Sequence, residues 1–278
     1  MNNAGRSGSF EHISSTTNET VKLLKSLDRK KERGETGLFL AEGVHFAEEA
    51  MGHGWRPAYV LAEVSAAEEP ATRDLLERMR TAGARVLTAS GKVLEAVTRK
   101  DNPQGLVAAF HQRLTPLTGL PVTGQRRYVA LYEVRDPGNL GTVIRTADAA
   151  GCDGVILVGT TCDPFSVEAV RATMGSLFAM PLAAGTFSAF RRWCDGGGVR
   201  IVAASMRGNH AHSEAHYGER GCILMGNEQA GLPEGVEAAC DELVRIPMAG
   251  RAESLNLGVA AGLMIYEAWR AKGFARGS

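Results

Sequence analysis

Five short apolar runs in the second half of the chain constrain the fold more than any other feature. YVALYEV (128–134), GVILVG (154–159), VRIVAAS (199–205), CILMG (222–226) and LVRIP (243–247) alternate with helical stretches at about 139–150, 164–172, 186–194 and 254–271. Runs this apolar and β-branched are buried on both faces, the condition of parallel strands covered by helices on either side. The expectation for residues 128–278 is therefore a parallel α/β sheet, with any ligand bound at the carboxyl ends of its strands.

The first half alternates on a smaller scale. A helical pattern from Thr16 to Glu35 buries Val21, Leu24 and Leu27 and carries Lys22, Lys25, Arg29, Lys30, Lys31 and Arg33 on other faces. The runs GLFLAEG, PAYVLA, ARVLTA and QGLVAAF then alternate with helical segments at 43–51, 69–82 and 91–97. This predicts a small α/β domain over 14–111, preceded by a flexible tail over 1–13. RLTPLTGLPVTGQRR has no periodicity and two prolines, so 112–127 is expected to be a linker.

Composition limits the partners. Lys plus Arg and Asp plus Glu both number 31, so any nucleic-acid contact must use a local basic patch. Five cysteines without a CxxC pair fit reduced thiols in a cytoplasmic protein with no zinc site. The start, MNNAGRSGSF, lacks a signal-peptide pattern. The apolar stretch 257–269 is shorter than the roughly 18 residues that a membrane span needs, so no membrane partner is expected.

Within NLGTVIRTADAAG (139–151), Leu140, Val143, Ile144, Ala147 and Ala150 share one side of a helix that Asn139 is placed to cap. Arg145 lies roughly opposite. It is either a solvated arginine paired with Asp148, or a functional group facing a cleft or a second subunit. MGNEQAGLP (225–233) sends a buried strand into a Gly-rich turn bearing Glu228, and LVRIPMAG (243–250) does the same with Pro and Gly. In ESLNLGVAAGLMIYEAW (253–269) either Ser254 or Asn256 can cap the helix. No G-x-G-x-x-G follows a strand, which argues against a nicotinamide-dependent oxidoreductase. His210, His212 and His216 lie in a polar stretch with no nearby cysteine, and are read as a mobile loop rather than a metal site.

Taken in order, NLGTVIRTADAAG, ILMGNEQAGLP and RIPMAGRAESLNLGVAAGLMIYE resemble the three motifs of the SpoU (TrmH) family of RNA ribose 2′-O-methyltransferases, in the SPOUT superfamily. TNETVKLLKSLDRKKERGETGLFLAEG with NPQGLVAAF is similar, more loosely, to the substrate-binding domain that many members carry. The resemblance implies a C-terminal SPOUT domain tied in a deep trefoil knot, joined to a small N-terminal α/β substrate-binding domain, in a homodimer. It implies S-adenosylmethionine bound by Leu224, Met225, Gly226, Asn227, Gly231, Ile246, Pro247, Met248, Ser254, Leu255 and Asn256, with Ser205 a further candidate. Arg145 matches the catalytic arginine, with Asn139, Glu228, Ser254 and Asn256 positioning it and the ribose. RNA, most of all ribosomal RNA, is the implied partner, with Lys22, Lys25, Arg29, Lys30, Lys31 and Arg33 as phosphate contacts. A tRNA substrate, a resistance-type rRNA enzyme and a non-catalytic RNA-binding protein are the alternatives. The presence of Asn139, Arg145, Glu228, Ser254 and Asn256 argues against the last.

Overall fold

A computed structural model of the chain describes residues 10–98 and 104–274; positions 1–9 of the expected tail lie outside those residues. The chain divides into two compact units, residues 1–112 with 165–167, and residues 113–164 with 168–278.

The first unit holds a five-stranded sheet in the order β1-β4-β3-β5-β2. Its strands are β1 (Glu11–Ile13), β2 (Leu38–Glu42), β3 (Pro57–Glu63), β4 (Arg85–Ala89) and β5 (Leu106–His111). β1, β4 and β3 pair parallel, whereas β5 runs antiparallel between β3 and β2. The helices are α1 (Glu19–Ser26), α2 (Lys30–Thr36), α3 (Val44–Gly52), α4 (Val64–Glu68), α5 (Pro70–Thr81) and α6 (Gly91–Thr98). Val21 and Leu24 of α1 and Val93, Leu94 and Val97 of α6 share a core with Leu40, Leu61, Leu87, Val107 and Ala109 of the sheet.

Two expectations fail in this unit. Glu11–Ile13, assigned to the tail, is a strand: Ile13 is buried, and Arg85 Nη2 reaches both Glu11 carboxylate oxygens at 2.8 and 2.9 Å. The single helix expected over 16–35 is two helices separated by Leu27–Arg29. Arg33 causes the break to hold. Its Nη1 donates to the carbonyls of Leu27 and Asp28, 2.8 Å each, and so satisfies acceptors freed where α1 ends.

The second unit is a seven-stranded sheet, parallel throughout, in the order β10-β12-β9-β11-β6-β7-β8. Its strands are β6 (Arg126–Tyr132), β7 (Gly154–Val158), β8 (Leu182–Gly185), β9 (Arg200–Ala204), β10 (His210–Ala211), β11 (Arg220–Met225) and β12 (Glu242–Arg245). Its helices are α7 (Pro137–Ala149), α8 (Val167–Ala172), α9 (Ser176–Ala179), α10 (Phe187–Gly197), α11 (Glu234–Glu237) and α12 (Leu257–Arg270). The order reverses beside β6, where chain-adjacent β7 lies on one side and β11 on the other, which makes the carboxyl end of β6 a switch point.

The stretch 112–127 is packed rather than free. Thr115 bridges to Ala183, Leu117–Gly119 form a 3₁₀ turn, and Leu120 is buried in the core with Tyr128 and Ile156. The Tyr128 hydroxyl donates to the Pro121 carbonyl. Nor is the histidine stretch a loop throughout. His210 lies in β10 with its Nε2 2.6 Å from Glu242 Oε1, and His212–Glu214 form a 3₁₀ turn.

Candidate active site

The carboxyl ends of β6, β9, β11 and β12 converge with the start of α12. α7 begins after the turn that follows β6, and its N-cap is Asp136, not Asn139: Asp136 Oδ1 accepts from the Asn139 backbone N–H at 2.6 Å. Asn139 therefore sits in the first turn with its side chain free for other work. Its Nδ2 donates to Glu228 Oε1 at 3.4 Å, and its Oδ1 accepts from Asn256 Nδ2 at 2.9 Å. Asn256 is also the cap of α12, its Oδ1 accepting from Gly258 N–H at 2.9 Å and Val259 N–H at 3.3 Å. α12 can lie this close to α7 because residue 258 is glycine; a Cβ there would meet Thr142 Cγ2 at 2.9 Å.

Glu228 is the anchor of the network. Its carboxylate accepts from the backbone N–H groups of Arg135 (3.1 Å) and Asp136 (3.0 Å) as well as from Asn139. Burial pushes its pKa up, but the backbone hydrogen bonds, with Asn139, outweigh that and hold it below the usual carboxylate range. An ionised group whose oxygens already accept from three donors holds the β6–α7 turn in place and is poorly suited to take up a proton. The neighbouring Cys162 thiol is pushed up to about 11, by burial first and then by the charges of Glu228 and Asp136.

The turn after β11 is built by Asn227 and two glycines. Asn227 and Gly231 exchange backbone hydrogen bonds of 3.0 and 2.9 Å. Asn227 Oδ1 accepts from the N–H groups of Gln229 and Ala230, and its Nδ2 donates to the Glu133 carbonyl at 2.8 Å. Glu133 holds a φ of 50°, a left-handed conformation unusual for a residue with a Cβ. At Gly226 a Cβ would lie 2.5 Å from the Gly231 carbonyl carbon, so only glycine permits this turn.

Beside the turn lies a cavity of about 520 Å³, within the roughly 300–1,000 Å³ typical of small-molecule sites. Ser205, Met225, Gly226, Asn227, Gly231, Ile246, Met248, Ser254 and Leu255 line it, together with Glu228. Three expected cofactor residues do not. Leu224 points to the opposite side of β11 from Met225, into the core with Ile201 and Leu232. Pro247 is exposed between Ile246 and Met248, and Asn256 is committed to Asn139 and the α12 cap. Ser254 faces the cavity and makes no hydrogen bond to Asn139, Glu228 or Asn256 among the described residues.

Glu237 and Arg207 were not legible as site residues. Glu237 is 6% exposed and lines the cavity; its carboxylate accepts from the Ser205 hydroxyl at 2.5 Å and from Arg207 Nε at 2.7 Å. Nothing in PEGVEAAC marks the second glutamate, because its partners lie on a strand end 30 residues earlier or more.

Arg145 is exposed on α7, three residues beyond Thr142 at the α12 crossing. Among the described residues its guanidinium makes no hydrogen bond or ion pair, so the Asp148 pair is not formed. Of the proposed phosphate contacts, Lys22, Arg29, Lys30 and Lys31 are exposed and Lys25 is half-buried, with Arg29 paired to Glu32 and Lys31 to Glu35. Arg33 is 3% exposed and bonded to carbonyls, which removes it from that set. No helix among the described residues is long and apolar enough to cross a membrane, and none of their acidic, His and Cys clusters has a metal-holding arrangement.

Fold and site together define an α/β protein whose parallel sheet carries a cavity of small-molecule size in the turns at its strand ends. Residues 126–266 match the SpoU rRNA Methylase family and residues 18–108 match the MRM3-like substrate binding domain. The chain belongs to the SpoU rRNA methylase family. It is 32% identical over 257 residues to the 23S rRNA (guanosine(2553)-2′-O)-methyltransferase RlmP of Bacillus subtilis (strain 168), covering 92% of this chain and 98% of that one. It is 30% identical over 250 residues to a 23S rRNA (uridine(2479)-2′-O)-methyltransferase of Streptomyces viridochromogenes, covering 88% and 86%. Among solved structures, the AdoMet-bound rRNA methyltransferase from Sinorhizobium meliloti superimposes with a TM-score of 0.89 at 44% identity, covering 95% of this chain and 99% of that one.

Proposed function

We propose that this chain transfers a methyl group from S-adenosylmethionine to a ribose 2′-hydroxyl of ribosomal RNA. The observation that carries the reading is the Glu228–Asn139–Asn256 network, which ties the wall of the cavity to the helix that bears Arg145.

The cavity fits S-adenosylmethionine by its chemistry. Met225, Leu232, Ile246, Met248 and Leu257 supply an apolar wall for a base. The Gly226–Gly231 turn brings backbone groups close, which a side chain at 226 would prevent. Glu237 and Arg207 add a carboxylate and a guanidinium to the lining, charges of both signs that a zwitterionic amino-acid end would meet. The bound cofactor supplies an electrophilic sulfonium methyl.

The rest falls to the protein. A ribose hydroxyl is a weak acid and must lose its proton as it attacks. A guanidinium offers donors and no acceptor, so Arg145 orients the hydroxyl and stabilises the negative charge that develops on its oxygen. The proton passes to an RNA phosphate oxygen. Glu228 fixes the turn before α7, Asn139 joins it to α12, and Asn256 locks both helix starts; together they hold the first turn of the helix that bears Arg145. Ser254 faces the ligand side.

Residues 14–111 serve to hold the RNA, through Lys22, Lys25, Arg29, Lys30 and Lys31, and residues 128–278 carry the chemistry, with the C-terminal segment threaded as a trefoil knot. Val259, Leu263 and Tyr266 form an exposed apolar stripe along α12 and support a homodimer. Five free cysteines support a cytoplasmic setting. The test is methyl transfer from labelled S-adenosylmethionine to unmodified ribosomal RNA, read as 2′-O-methylnucleosides after digestion.

A further inference from the structure

The N-terminal unit gathers polar side chains at one end of its sheet, where Tyr59 packs against the core and Arg85 is paired with Glu11. Strand register sets Leu38 opposite His111, and Tyr59 opposite both Ala109 and Arg85. Side chains alternate along a strand, so His111 shares a face with Ala109. Leu40, Ala109, Tyr59 and Arg85 thus form one row across the sheet, and Leu38 and His111 the row beyond it, on the face where Leu40, Ala109, Leu61 and Leu87 lie in the core with α1 and α6. Over these two rows the apolar pattern gives way to a guanidinium and a phenol directly opposite each other on β4 and β3, strands about 4.8 Å apart, and to an imidazole one row further out on β5.

A depression of about 380 Å³ opens over these side chains, and no carboxylate lines it. Arg56, from the turn before β3, completes it, and Thr36, the last residue of α2, borders it. Arg85 is fixed by Glu11 and by Thr20 Oγ1 at 3.3 Å. The side chains of Arg56, Tyr59 and His111 make no hydrogen bond or ion pair among the described residues. Three donors or acceptors without partners, two of them on rings, fit a ligand that offers both an anion and a flat face. Planar side chains stack on bases, and arginine matches phosphate in its fork.

We propose that this depression is a nucleotide-binding site. It takes one nucleotide from a single-stranded segment of the RNA substrate, with the base against Tyr59 and His111 and the adjoining phosphate on Arg56. The inference rests on the RNA methyltransferase reading and adds to it a site separate from the basic residues of α1 and α2.

The experiment measures binding of a fluorescent, short single-stranded RNA oligonucleotide to the full chain over a series of salt concentrations. Wild type, Arg56→Ala, Arg56→Lys and His111→Ala are compared, with thermal unfolding and S-adenosylhomocysteine binding as controls for folding. Arg56 is exposed, so its loss leaves the core intact. Arg56→Ala is expected to weaken binding about tenfold and to reduce the slope of log K against log salt by about 0.7, the share of one single-strand phosphate. Arg56→Lys restores the slope, and His111→Ala weakens binding about fivefold or more with the slope unchanged. Arg56→Ala and His111→Ala that both bind within about twofold of wild type, with its slope, overturn the site. Wild-type protein that fails to bind the oligonucleotide also overturns it. If that protein still labels ribosomal RNA, the methyltransferase reading stands without the site; if it does not, both fall.

Discussion

Asn256 does two jobs with two ends of one amide, and two substitutions separate them. Its Oδ1 caps α12 and its Nδ2 holds Asn139. Asn256→Ala loses both. The cap is worth about 1 kcal/mol, and the exposed hydrogen bond to Asn139 about 0.5 kcal/mol, the low end for such bonds. A loss of about 1.5 kcal/mol lowers the unfolding midpoint of a unit this size by roughly 3–6 °C. Asn256→Asp keeps an acceptor for Gly258 and Val259 and adds a negative charge at a helix N-terminus, which is favourable by about 0.3–1 kcal/mol. It places a carboxylate oxygen against Asn139 Oδ1, where a donor is required. Asn139 cannot compensate by rotating its amide, because its Nδ2 would then leave Glu228. The aspartate variant should therefore melt within about 2 °C of wild type and yet transfer methyl groups on the order of a hundredfold more slowly, the usual cost of a small misplacement of catalytic groups. Differential scanning calorimetry and single-turnover methyl transfer read the two effects separately. Wild-type turnover in Asn256→Asp, or a melting loss equal to that of the alanine variant, would refute this division of roles.

Two other substitutions probe the cavity and its anchor. Gly226→Ala forces a Cβ to within 2.5 Å of the Gly231 backbone; overpacking of this kind costs about 1–3 kcal/mol, so affinity for S-adenosylhomocysteine should fall roughly 5- to 150-fold by calorimetry. Gly250→Ala, where no atom lies within 4 Å, should bind as wild type does. For Glu228, whose folded pKa is depressed, the stabilisation is fully present above the unfolded value of about 4.3 and is lost as pH falls through the folded value. The melting advantage of wild type over Glu228→Gln should accordingly be full at neutral pH and vanish in acid. An advantage that is the same at both ends would mean that the ionised carboxylate is not the anchor.

The parallel sheet was legible because its strands are read from unbroken apolar runs such as YVALYEV and GVILVG, which need no knowledge of their neighbours. β8 and β10 were not, since LAAG and HA are too short and too weakly apolar to register, and both gain their order from pairing with β7 and β12. β1 depended on a partner 74 residues away, Arg85, and the 112–127 stretch on scattered leucines that share no period. At the site, the motifs marked Asn139, Arg145, Glu228 and Asn256, but not how they join. Asn139 read as a cap because Asn favours caps; Asp136, three residues earlier, took that place and freed the Asn139 amide for Glu228 and Asn256. Arg33 read as one of six basic residues on a solvated helix, and only the break at Leu27–Arg29 turned it inward. Glu237 had no local signal at all.

The most direct test gives wild type and Arg145→Ala labelled S-adenosylmethionine and unmodified ribosomal RNA, with cofactor binding measured alongside. Arg145 lies outside the cavity lining, so the variant should bind S-adenosylhomocysteine as wild type does. The predicted result is label in a single 2′-O-methylnucleoside with wild type and a loss of at least about a hundredfold in the variant. Label on a base, or an Arg145→Ala protein as active as wild type, would contradict the account.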